Sequence, residues 1–126
     1  MAVHSDFNVV PIREHLGDKA SDLNTDFPFM GRNSSVKKFR IEGDPVDDAF
    51  LLINHTDVHQ NGHVIKINGQ DLPWLDIIDA DGKFATQMKL IPPGLLFRGD
   101  NTLQVVQKGD DNFIVFDVVV HWREKN

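Results

Sequence analysis

The sequence contains no cysteine, which excludes disulfides, thiolate metal sites and cysteine nucleophiles together. It has no tyrosine and only two tryptophans, so phenylalanine supplies most of its aromatic surface. No apolar run approaches the roughly 18 residues of a membrane-spanning helix. The first six residues lack a basic stretch leading into an apolar one, and the expectation is a cytoplasmic location. The 13 Lys and Arg are scattered, and the net charge is −6. That pattern disfavours nucleic acid and anionic membrane surfaces as partners. There is no Gly-x-Ser-x-Gly elbow and no glycine-rich loop leading into a helix. His121 and Asp117 fall on one face of a strand-like run, roughly 13 Å apart by strand rise, too far to hydrogen-bond. The expectation is a protein that binds rather than catalyses.

What is present is strand after strand. The chain has 126 residues, of which 40% are hydrophobic and 25% charged, the size and composition of one folded domain. Residues 36–42 alternate, with Phe39 and Ile41 on one face. Residues 49–58 carry apolar side chains on both faces, as a central strand does. Asn61-Gly62 reads as a tight turn joining that strand to 63–67 in a hairpin. Asn68-Gly69 reads as a second tight turn, and Asp81-Gly82 as a third, before the alternating run 84–91. Pro92-Pro93-Gly94 ends that run. Residues 102–107 and 113–122 form a last hairpin around Gly109-Asp110-Asp111, and Trp122 closes an apolar stripe. Residues 7–12 suggest a first strand, but 1–35 as a whole reads as an irregular N-terminal segment packed on the rest. Strands at intervals of roughly 8–12 residues without a sustained amphipathic helix predict an all-β sandwich.

The order of these pieces resembles the galactose-binding-like jelly roll, found in the sugar-binding domains of β-galactosidase-type glycosidases and in carbohydrate-binding modules. The likeness is carried by Ile67-Asn68-Gly69 at the end of an alternating strand and by Gly99-Asp100-Asn101-Thr102-Leu103-Gln104-Val105 opening a closing strand. It covers residues from about 36 to 122. It implies an antiparallel jelly-roll sandwich that binds ligand in the loops at one end, a structural calcium in many cases, and a carbohydrate or another protein as partner.

The residues themselves offer three constellations. Trp74, beside Pro73 and Asp76, is the candidate platform for a sugar ring, whose apolar face suits an aromatic plane. Asn54, Asp57, His59, Gln60 and Asn61 supply hydrogen-bonding groups for hydroxyls in the neighbouring loop. His55, His59 and His63 form a series that suits zinc or nickel only if the fold brings the rings together, and solvated turn histidines are the alternative. Aspartates cluster at 44, 47 and 48, at 79 and 81, and at 110 and 111, but none has the spacing of a calcium loop. No metal ligand set is therefore assigned. The rival to carbohydrate binding is a protein-interaction or assembly domain, with the oligomeric state left open.

Overall fold

Apolar and polar residues alternate along most of the chain, so each strand has one side to bury, and the strands stack in two layers that bury those sides together. The computed structural model describes residues 2–73 and 77–125. Its strands are β1 (Val3–Leu16), β2 (Phe29–Gly31), β3 (Lys37–Ile41), β4 (Asp44–Thr56), β5 (Val64–Ile67), β6 (Gln70–Asp71), β7 (Ala85–Leu90), β8 (Gly99–Val106) and β9 (Phe113–Lys125). Five of them form one sheet in the order β2-β1-β9-β4-β7, and four form the other in the order β3-β8-β5-β6. Pairing is antiparallel apart from the short β1·β2 contact. The expected all-β sandwich is what the structure shows.

The core lies between the sheets. From β9, the centre of the five-stranded sheet, Val118, Val120 and Trp122 point inward, beside Leu51 and Ile53 of β4. Opposite them the second sheet contributes Phe39, Ile41, Ile65, Ile67, Leu103 and Val105, all buried. Each such side chain contributes about 1.5–3 kcal/mol through apolar burial. The two asparagines of the jelly-roll motifs lock this layer. Asn68 Nδ2 donates to Asn101 Oδ1 at 2.9 Å and to the Leu95 carbonyl at 2.8 Å, while the fully buried Asn101 holds Phe97 through both its amide atoms. Asn68 and Gly69 have φ of 53° and 78°, the pair of positive dihedrals that a two-residue hairpin requires.

Several sequence expectations are corrected. The N-terminal segment is not irregular throughout, because β1 pairs with β9 from Val3↔Lys125 to Leu16↔Phe113. A bulge between Pro11 and Glu14, with Arg13 at φ 53°, re-aims this strand so that Glu14, His15 and Leu16 are all buried. Residues 49–58 and 63–67 do not form a hairpin, and neither do 102–107 and 113–122. In each case the two strands belong to opposite sheets, and the intervening turn residues carry the chain across the core. The run 84–91 does alternate, and its larger apolar side chains face outward, Met88 at 58% and Leu90 at 69% exposed. Gln87 takes the inner side instead, because its Oε1 accepts hydrogen bonds from His55 Nε2 at 2.7 Å and Ile78 N at 3.2 Å.

Candidate functional site

Four connections meet at one end of the sandwich: residues 17–28, 57–63, 78–84 and 107–112. β1 and β4 end there, and β7 and β9 begin there. Each connection carries polar residues, and a dense set of hydrogen bonds ties them together.

Asp111 is the hub. It is 5% exposed, and its carboxylate accepts from the backbone N–H of His59 at 3.1 Å, that of Gln60 at 3.1 Å and His63 Nε2 at 2.8 Å. The His63 ring is itself fully buried, and its Nδ1 accepts from Lys108 N at 3.1 Å. Nδ1 therefore carries no proton, and the ring proton sits on Nε2, facing Asp111. Gln107, also buried, donates from Nε2 to the carbonyls of Gly109 and Asp111 at 3.0 and 2.7 Å and accepts from Arg32 at 2.7 Å. The 107–111 loop is thus held from inside.

Asn112 organises the neighbouring wall. Its Oδ1 accepts from His15 Nε2 at 2.9 Å and Lys19 N at 3.3 Å, and its Nδ2 donates to Asp18 and Asp22 at 2.8 and 3.0 Å. Gly17 is required beside it, since a Cβ there would lie 1.8 Å from Asn112 Oδ1. On the third wall Asp57, at φ 68°, donates its N–H to the Gly82 carbonyl at 3.1 Å, and the His59 ring lies over Gly82, where a Cβ would come within 2.5 Å of it.

Between these walls opens a cleft of about 360 Å³ whose polar lining includes Asp22, Asp57, His59, Gln60 and Asp110. Gln60 Nε2 donates to Asp110 Oδ1 across its mouth. At the same end of the sandwich three rings cluster: Phe27 packs edge-on against Phe116 at 5.5 Å, and Phe84 lies tilted against Phe116 at 5.4 Å. Phe84 is 64% exposed. Fixed planar hydrogen-bonding groups at the same loop end as exposed aromatic surface are a combination that can hold a polyhydroxylated ligand.

The structure brings Asp57, His59 and Gln60 together at this cleft. Asn54 lies apart on the outer sheet face, where its Nδ2 donates to Thr86 at 2.8 Å. Asn61 serves the scaffold by accepting from Asp79 N at 2.7 Å. Trp74 lies outside the described residues, and so does Asp76. His55 and His63 are not solvated turn histidines, for both are fully buried. Burial lowers the His55 pKa from the ordinary histidine value, more than the Gln87 hydrogen bond raises it, and nearby His63 adds to the lowering. Among the described residues its Nδ1 has no hydrogen-bond partner. With His63 committed to Asp111 and Lys108, the three histidines do not form a ligand set, and only His59 reaches the cleft. Sequence reasoning missed Asp22, Asp111, Asn112 and the phenylalanine cluster. The dense aspartates and the phenylalanines were visible, but nothing local showed that the fold would gather them.

A larger cleft, about 590 Å³, lies at the other end of β7, lined by Met88, Leu90, Pro73, Pro92 and Pro93 with Asp47 and Asp48 at the rim. Its lining is less polar than that of the loop-end cleft. Among the described residues no helix is long and apolar enough to cross a membrane.

Two solved structures share this architecture. The CBM36-1 domain of a multidomain xylanase from the hindgut metagenome of Trinervitermes trinervoides aligns with a TM-score of 0.53 at 14% identity, covering 91% of this chain and 96% of that one. CBM35 from Paenibacillus barcinonensis aligns with a TM-score of 0.50 at 11% identity, covering 95% and 98%. At these identities the likeness establishes the jelly-roll fold alone. No curated protein matches the sequence. Residues 4–124 match DUF7383, a family of unknown function, and the chain belongs to that family.

Proposed function

We propose that this protein is a non-catalytic carbohydrate-binding domain whose site is the loop-end cleft. The observation that carries this reading is the cleft itself: Asp57, His59, Gln60 and Asp110 border it on loops braced from within by Asp111, Gln107 and Asn112. Bracing matters because a sugar offers hydroxyls that water hydrates equally well. Affinity then depends on partners that lose little freedom on binding. Carboxylate and amide groups supply planar acceptors and donors for neighbouring hydroxyls. The exposed ring of Phe84, with Phe27 and Phe116 behind it, offers an apolar plane for the ring carbons. The fold is shared with the CBM36-1 domain of a xylanase and with CBM35, which supports the same reading. The buried His63–Asp111 pair is engaged by backbone groups of the 57–63 and 107–112 loops and acts as scaffold.

The test is a glycan array followed by calorimetric titration with any glycan retained. Binding that Gln60→Ala and Asp110→Ala abolish while the melting temperature holds supports the site. Binding untouched by both places it elsewhere.

A second reading has its own observation. The outer face of the five-stranded sheet carries two apolar rows, Phe7–His121–Phe50–Leu90 and Val9–Val119–Leu52–Met88, in cross-strand register. Phe50 stacks on His121 at 4.6 Å, and Phe7, Val9, Met88 and Leu90 are between 49% and 69% exposed. Exposed apolar surface of this kind favours a protein-interaction domain. Leu90→Glu weakens association in that case and leaves glycan binding unchanged in the first.

A further inference from the structure

At the end of the sandwich away from the cleft, the first and last strands of the five-stranded sheet's centre place three chemically matched side chains together. His4 of β1 is registered directly across from Glu124 of β9, and Asp6 follows two residues on along the same strand face. One ligand atom from each of His4, Asp6 and Glu124 can be chosen so that all lie within 4.8 Å of one another. His4 Nε2 and a Glu124 carboxylate oxygen are 3.8 Å apart.

Glu124 is the independent sign that something cationic belongs there. It is 1% exposed, and a buried carboxylate is costly unless it is paired and hydrogen-bonded. Its Oε1 accepts from the Trp122 indole N–H at 2.8 Å. Oε2 faces His4 at a distance longer than a hydrogen bond. Among the described residues no lysine or arginine pairs with it. The backbone has also made room for this carboxylate: a Cβ at Gly43 would lie 2.2 Å from Oε2 and 2.5 Å from the Lys125 carbonyl. Asp6 uses one oxygen to accept from Phe7 N at 2.8 Å, which holds its carboxylate in place and leaves the other oxygen available.

We propose that His4, Asp6 and Glu124 bind one first-row transition-metal dication, with zinc as the probe. Zinc takes both imidazole nitrogen and carboxylate oxygen as ligands, at about 2.0–2.2 Å. Calcium wants about six to eight oxygen ligands, which three side chains including a histidine do not provide. Tetrahedral zinc with bonds of about 2.1 Å sets its ligands roughly 3.4 Å apart. The 3.8 Å between His4 and Glu124 is a few tenths wider, and His4 and Asp6 are exposed side chains able to close it. Three protein ligands leave the fourth position to water or to an oxygen of another molecule. The Trp122 indole then orients the Glu124 ligand from behind.

The site is tested by zinc calorimetry on the untagged chain, alongside thermal unfolding and tryptophan fluorescence. The expected result is one zinc per chain, a raised melting temperature, and a fluorescence change. Affinity should fall more than about tenfold in His4→Ala, whose exposed side chain leaves the fold intact. Asp6→Asn should weaken it in the same direction, so the conclusion does not rest on the buried Glu124 alone. No zinc binding by the wild type, binding that His4→Ala and Asp6→Asn leave unchanged, or a calcium response equal to that of zinc would each overturn the proposal. None of these results depends on whether the loop-end cleft takes a sugar.

Discussion

Asp111 and Glu124 pose the same problem at opposite ends of the sandwich, separated by most of the length of β9, roughly 36 Å by strand rise. Both are buried carboxylates. Asp111 is surrounded by donors from the protein: two backbone N–H groups and a histidine whose tautomer is fixed by a further bond. Glu124 has one donor, and its other oxygen looks toward two more ligand-type side chains. The difference separates a carboxylate met by three donors from one with a single donor that faces two further ligand-type side chains. It also separates two kinds of site. At the loop end the buried groups are spent on rigidity, and the ligand meets the exposed residues they brace. At the other end the buried group would itself touch the ligand.

The comparison breaks most visibly at Asp111. Asp111→Ala leaves two backbone N–H groups and His63 Nε2 without their acceptor, each unsatisfied group costing about 1–3 kcal/mol. A loss of roughly 3 kcal/mol or more in urea-denaturation stability is expected, and a loss below about 1 kcal/mol would show that the hub is dispensable. Gly17→Ala acts one step away. Its new Cβ overlaps Asn112 Oδ1, so Asn112 must leave His15, Asp18 and Asp22, at about 2 kcal/mol. An unchanged midpoint would mean that the wall relaxes freely.

A smaller effect follows from His55. Its folded-state pKa is lowered, chiefly by burial, so the unfolded chain takes up this proton at a higher pH than the folded one does. Its contribution to stability is complete above the unfolded value of about 6.5 and is lost as pH falls below that value toward the folded-state pKa. Melting temperatures measured from pH 7.5 downward should decline in this window, and the decline should be shallower in His55→Phe. Equal slopes in the two proteins would remove His55 as the cause. Smallest of all in stability is Gln60→Ala, within about 0.5 kcal/mol as expected for a surface position, even though it removes a proposed ligand contact.

Much of the fold could be read from the sequence because a period of two reports which side of a strand is buried. It placed Phe39 and Ile41 on one face and Trp122 at the end of an apolar stripe, and all three are buried in the core. The same period says nothing about which sheet a strand joins, and for that reason the turns at 61–62 and 109–111 were mistaken for hairpin closures. Nor does it weigh one polar contact against an apolar stripe. In β7 Gln87 faces inward to accept from His55, while Met88 and Leu90 lie outside. At the candidate site, Asp57, His59 and Gln60 were legible as polar loop residues. Asp111 was not, because its partners lie about fifty positions earlier in the chain. His4 and Glu124 were less visible still, since only the β1·β9 register brings them together.

The central claim is that the braced loop-end cleft binds carbohydrate, and nuclear magnetic resonance titration of the isotopically labelled chain with a glycan selected on an array tests it most directly. The account predicts saturable amide shifts concentrated at residues 57–60 and 110–112 and at Phe84, absent from the 4–6 and 124 region, and abolished by Gln60→Ala with the rest of the spectrum unchanged. Shifts confined to the outer sheet face around Phe7, Phe50 and Leu90, or no glycan response across the array, would contradict it.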